Sequence, residues 1–182
     1  PQSARARYDF WLTAAELVCE NFFLPIRDVC RKYNTLSGGH LLCEEQLLTH
    51  VPLYGSLFRC EKMLDAPSLD CLTSIPPDVH WYSARLVSSA GELIGRPDNM
   101  CETSDFAQRY RPKGDKRPPT LVTEDQIRGT CNRLMVSGIT CITSYYGLDR
   151  FGDEVMQRLN LWIGRVCAML YDGHQACDVA VL

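Results

Sequence analysis

The segment 134–148, LMVSGITCITSYYGL, constrains the fold of this chain most, because it carries no Asp, Glu, Lys, Arg or His. As a helix it would be about 22 Å long at 1.5 Å per residue. That is short of the roughly 30 Å of hydrocarbon a membrane span must cross. A helix apolar on nearly every side belongs inside a bundle. The segment therefore predicts a soluble all-α domain wrapped around one central helix, capped by Ser137 and ended by Gly147.

The flanking sequence supplies helices to cover it. Residues 8–23 repeat apolar side chains at helical spacing (Phe10, Trp11, Ala14, Ala15, Leu17, Val18, Phe22), with Pro25 at the end and 26–33 able to carry the helix on until Gly38-Gly39. Shorter candidates cover 41–48 and 53–64, and prolines 67, 76 and 77 mark a loop. Residues 78–94 form a striped helix with Asp78 as N-cap, and a weak helix is expected over 103–110. Thr123 with Gln126 is a capping box opening a helix toward Met135, and 151–171 is a long amphipathic helix carrying Val155, Leu159, Trp162, Ile163, Val166 and Leu170. No period-two strand is visible, and 182 residues fit a single domain over 1–182.

Composition removes several function classes. A net charge of −3 gives no field to draw nucleic acid. The one basic cluster, Arg109, Arg111, Lys113, Lys116 and Arg117, is broken by Asp115 and prolines and reads as a solvated loop. No secretory signal opens the chain, and the missing initiator Met suggests trimming, so a membrane tail could have been removed as well. The ten cysteines contain no C-x-x-C pair and read as free thiols of a reduced, intracellular protein. His40, His50, His80 and His174 share no ligand spacing, so no metal site is expected, and the glycines form no nucleotide motif, so no cofactor is expected. Nothing reads as an active site; a binding protein rather than an enzyme is the expectation.

Residues 136–147, VSGITCITSYYG, resemble the first homology region of the Bcl-2 apoptosis regulators, N-W-G-R-I-V-A-F-F-x-F-G. Gly138 and Gly147 fall on its two glycines, Cys141 and Ile142 on small apolar positions, and Tyr146 on the last aromatic. RLVSSAGELI, with Val87, Ala90, Gly91, Glu92 and Ile94, resembles that family's third homology helix. RLNLWIGRV, with Trp162, resembles its sixth helix. Ile139 stands where the family carries the Arg that pairs with a bound BH-3 helix, and the Gly-Gly-Trp of the second homology region is reduced to Asp172-Gly173-His174. Such departures resemble the divergent members encoded by large DNA viruses, iridoviruses among them.

The resemblance implies a Bcl-2-like bundle acting as a pro-survival protein, in the cytoplasm or at the mitochondrial surface of a host cell. Its hydrophobic groove would sequester the BH-3 helix of a pro-apoptotic partner. The lining it implies is Leu86 and Val87, then Phe106 and Tyr110, then Ile127, Cys131, Leu134 and Met135, and finally Gly138, Ile139 and Ile142. Without the Arg, the apolar groove is expected to be partly covered in a homodimer. A helical scaffold with no apoptotic ligand, or a pro-apoptotic effector of the same fold, are the alternatives.

Overall fold

Residues 141–145, expected in the middle of a central helix, are a β-strand. The structure is a computed structural model, which describes residues 2–96, 98–146 and 151–176. Its elements are α1 (Gln2–Val18), a π-helical turn (Cys19–Phe23), α2 (Leu24–Lys32), β1 (Gly38–Gly39), α3 (His50–Tyr54), α4 (Leu57–Glu61) and β2 (Ala66–Cys71). A 3₁₀ turn (Pro76–Asp78) follows, then α5 (Trp81–Leu93), β3 (Met100–Ser104), α6 (Phe106–Arg109), α7 (Glu124–Val136), β4 (Cys141–Tyr145) and α8 (Asp153–Leu170). The four strands form one sheet in the order β1-β2-β3-β4, every neighbouring pair parallel. The all-α bundle is thus replaced by a mixed α/β fold, and the central helix by a turn and a strand.

The reason is local. The capping box of Thr123 and Gln126 does open α7, with both of its reciprocal hydrogen bonds formed. But α7 ends at Val136, and Ser137, expected to start a helix, closes this one. Gly138 has φ +101°, and the Gly138 and Ile139 N–H groups donate back to the Met135 and Leu134 carbonyls. This is the left-handed glycine stop that ends many helices. Beyond it, Ile139, Thr140, Ile142 and Thr143 are β-branched and favour a strand. A strand of a parallel sheet can be a continuous apolar run, which periodicity alone does not separate from a buried helix. Gly147, the expected helix end, lies outside the described residues.

Other boundaries shift for similar reasons. The weak helix over 103–110 is β3 followed by the single turn α6, and the loop around Pro67 contains β2, where Pro67 sits next to the short β1. Residues 41–48 are turns instead of a helix. Asp78 belongs to the 3₁₀ turn, and α5 begins after His80.

Register sorts the sheet into two faces. Leu69, Cys101 and Ile142 lie in one row across β2, β3 and β4, and Asp70, Glu102 and Thr143 lie in the next. Because side chains alternate along a strand, these rows point to opposite faces. The first faces the helices: Leu69, Cys71 and Cys101 share a core with Val79, Ala84 and Val87 of the α5 region and with Leu134 and Ile139. Ile142 also touches the second core, where Ile127, Cys131 and Met135 of α7 meet Leu159 and Ile163 of α8. Glu124 at the start of α7 ties Arg128 and Arg158, and the Arg128 guanidinium lies 4.7 Å from the Trp162 ring centroid. Sequential parallel strands with α5, α7 and α8 covering one face make an arc of β/α units, the arrangement from which (β/α) barrels are built.

The amino ends of the strands are locked by charge. Asp65, just before β2, is buried, and its carboxylate accepts from Arg31 at 2.7 Å, Arg96 at 3.0 Å, and the Ser37 hydroxyl and N–H at 3.0 and 3.2 Å. One carboxylate thereby joins α2, the entry to β1 and the loop after α5.

Candidate functional site

In open parallel sheets and in barrels, ligands bind at the carboxyl ends of the strands. That end here holds a cavity of about 530 Å³. Its walls are the strap 40–45 that leaves β1, the last residues of β2 with Leu72 and Thr73, the Asp78–His80 turn, and Ala107 and Gln108 of α6. Its titratable lining residues include His40, Glu44, Asp70 and His80, and among the described residues no lysine or arginine lines it.

His40 is the hub. Its Nδ1 lies 3.2 Å from a Glu44 carboxylate oxygen, and its Nε2 lies 3.6 Å from Glu102 on β3. Burial works against a charge on His40, but Glu44, the Leu41 carbonyl, Asp70 and Glu102 outweigh it, and its pKa is raised. Glu44 is 2% exposed. Burial raises its pKa, against the pull of backbone N–H groups and of His40. Burial also raises Asp70, opposed by His40 and reinforced by Glu102 and Glu45. One Asp70 oxygen, Oδ1, is enclosed without a hydrogen-bond partner, an acceptor left open at the cavity wall.

The strap that carries Glu44 is held by its own backbone. Tyr54 Oη donates to the Leu42 carbonyl at 2.9 Å. His50 Nε2 meets the Cys43 carbonyl at 2.9 Å and the Glu44 carbonyl at 3.0 Å. Ser83 Oγ donates to the Glu44 carbonyl at 2.8 Å, and Tyr82 Oη donates to the Glu45 carbonyl. Cys43 sits at φ +62°, a conformation non-glycine residues adopt at a cost and which clusters at functional sites. On the opposite wall, Gln108 accepts from the Ser74 N–H at 3.0 Å and donates to Thr73 Oγ1 at 2.9 Å. Ser74 Oγ contacts the Ser104 carbonyl and Tyr146 Oη at 2.9 and 3.0 Å.

The groove residues named from the sequence do not meet at this place. Val87, Leu134 and Ile139 are in the first core, and Ile127, Cys131 and Met135 in the second, with Ile142 against both. Leu86 is half-buried on α5, and Gly138 is the helix stop, where an added Cβ would meet Ser88. Phe106 and Tyr110 are exposed and stack on one another at 5.1 Å. These eleven residues are therefore divided among two buried cores, a half-buried place on α5, the stop after α7 and the exposed α6. The sequence reading missed His40, Glu44, Asp70 and Glu102. From sequence, Glu44 falls inside the helix candidate 41–48 and Gly38-Gly39 at a helix stop, where the structure has turns and β1.

Among the described residues no group of three His, Cys, Asp or Glu side chains could hold a metal ion, and all nine described cysteines are free thiols. No described helix is long and apolar enough to cross a membrane. No family model, no curated protein and no solved structure matches this chain.

Proposed function

We propose that the domain hydrolyses a glycosidic bond of a carbohydrate bound at the carboxyl ends of the strands. The observation that carries this reading is Glu44: a buried carboxyl group whose pKa burial raises, 3.2 Å from His40, at the wall of a cavity that Asp70 also lines. Glycoside hydrolysis needs two carboxyl groups in different environments, one of which gives a proton to the leaving oxygen. Glu44 is the proton donor. Asp70, which lines the same cavity, supplies the second carboxylate, and Glu102, about a third exposed, contacts the site through His40. Asp70 Oδ1 offers an acceptor to a sugar hydroxyl, and Thr73, Gln108 and His80 add polar groups around it. A lining without lysine or arginine suits a neutral polyhydroxyl ligand better than a phosphate.

The fold is not the all-α bundle that the apoptotic reading implies, so that reading rests on the sequence resemblance alone. The test of the hydrolase reading is release of the aryl alcohol from a panel of nitrophenyl glycosides. Turnover should fall about 10²–10⁴-fold in Glu44→Gln, the usual loss of a general acid, with substrate binding retained. Turnover by Glu44→Gln equal to that of the parent protein would overturn it.

A further inference from the structure

We propose that His50, which does not touch the cavity, is the positioning residue of this site: it fixes the backbone that aims Glu44. The proposal rests on the hydrolase reading for its function and on geometry for its content. His50 is 5% exposed and lies on α3, six residues beyond Glu44. Both of its close contacts from Nε2 are carbonyl oxygens, of Cys43 and of Glu44. A carbonyl can only accept, so Nε2 carries the proton and donates to both. The ring is steadied by stacking on Tyr54, 5.8 Å between centroids and 27° between planes. Tyr54 itself holds the Leu42 carbonyl.

The strap needs such a clamp. Cys43 is in the left-handed region, so relaxation of 42–45 would relieve strain and swing Glu44 toward water. Four successive carbonyls, of Leu42 to Glu45, are each caught by a side chain from α3 or the start of α5. With every carbonyl drawn outward, the Glu44 side chain is left to point to His40. His50 holds two of the four, and it holds the two that flank the Glu44 Cα. The titratable groups facing Glu44 are His40 from its own strap, Asp70 from β2, Glu61 from α4 and Tyr54 from α3.

Carbon-detected NMR of the Glu44 carboxyl, titrated without substrate, tests this directly. His50→Leu keeps the volume but removes the donor. It should move the Glu44 midpoint down toward the ordinary 4.5, shift the 43–45 amide resonances, and lower turnover about 10²-fold, as misplacement of a catalytic group does. His50→Gln, which restores an N–H, should recover most of each change. Ser83→Ala removes one bond to the same carbonyl and should act in the same direction, less strongly, in case His50→Leu fails to fold. A folded His50→Leu or Ser83→Ala protein in which Glu44 titrates as in the parent overturns the clamp. That outcome is independent of whether any glycoside is cleaved, which the Glu44→Gln comparison decides.

Discussion

Two aspartates five residues apart, Asp65 and Asp70, sit at opposite ends of β2 and have opposite surroundings. Asp65 is enclosed by two guanidinium groups, a hydroxyl and a backbone N–H. Burial alone would raise its pKa, yet Arg31 and Ser37 outweigh burial and bring it down. Asp70 is raised by burial, faces Glu102 and Glu45, and keeps one enclosed oxygen without a partner. The amino end spends its polar groups on holding α2, β1 and the α5–β3 loop together. The carboxyl end leaves one enclosed oxygen, Asp70 Oδ1, without a partner, a condition that costs stability and that a ligand can relieve. That division between a stabilising end and a reactive end is what a β/α arrangement leads one to expect.

The largest effect should come from breaking the satisfied end. Asp65→Ala removes the acceptor shared by Arg31 and Arg96 and should lower unfolding stability by about 3 kcal/mol, the scale for removing one member of a buried pair. Urea denaturation measures it; a loss well under 1 kcal/mol would mean that the lock contributes little.

At the other end the sign should reverse. Asp70→Asn removes the charge of a carboxyl group with one enclosed, unpartnered oxygen, and stability should rise by about 1 kcal/mol, within the desolvation cost of such a group, while turnover falls. A clear loss of stability would show that Asp70 is as well satisfied as Asp65.

The two ends should also separate by pH. A lowered carboxylate stabilises the fold above its unfolded pKa, and that contribution is lost as pH falls through the folded value. Asp65 should therefore contribute to the acid limb, below about its ordinary 3.8, beside Glu124, which Arg158 and Arg128 lower to about 2. Glu44 and Asp70 are raised, so the folded state holds more protons, and their contribution fades as pH rises above 4.5 and 3.8. His40, raised above its ordinary 6.5, acts in the same direction, present at low pH and lost as pH climbs past its folded value. Thermal melting from pH 3 to 9 should show Asp65→Asn flattening the acid limb alone and Glu44→Gln flattening only the decline above it. One variant flattening both limbs would mean the ends are coupled.

What the sequence made legible follows the same line. The helices that cover the sheet were readable, because amphipathic spacing and the Thr123–Gln126 capping box are local signals. The α8 stripe of Leu159, Trp162, Ile163, Val166 and Leu170 does pack into a core. The strands were not readable, since β2, β3 and β4 are only five or six residues long and show no clean alternation of burial. In β4, the β-branched Ile142 and Thr143 and the preceding Gly138 were the available clues against a helix. The site was hidden for a stronger reason. Its residues come from three segments, 40–44, 70 and 102, which meet only through parallel pairing of β1, β2 and β3. No spacing in the chain encodes that meeting.

The smallest expected effect tests how redundant the amino-end lock is. Arg96 is more than a third exposed and shares Asp65 with Arg31, which bonds the same oxygen through both Nε and Nη2. Arg96→Gln leaves Arg31 and Ser37 in place and lets the freed loop be hydrated, so it should cost about 0.5 kcal/mol, in the range of partly exposed pairs. Arg31→Gln should cost somewhat more, since it also unties α2. The double variant leaves a buried carboxylate facing only Ser37, and its cost should exceed the sum of the two, because groups sharing one partner do not add. Simple additivity in chemical denaturation would show that Asp65 finds water or another donor. The amino end would then be no better satisfied than the site at the other end of the same strand.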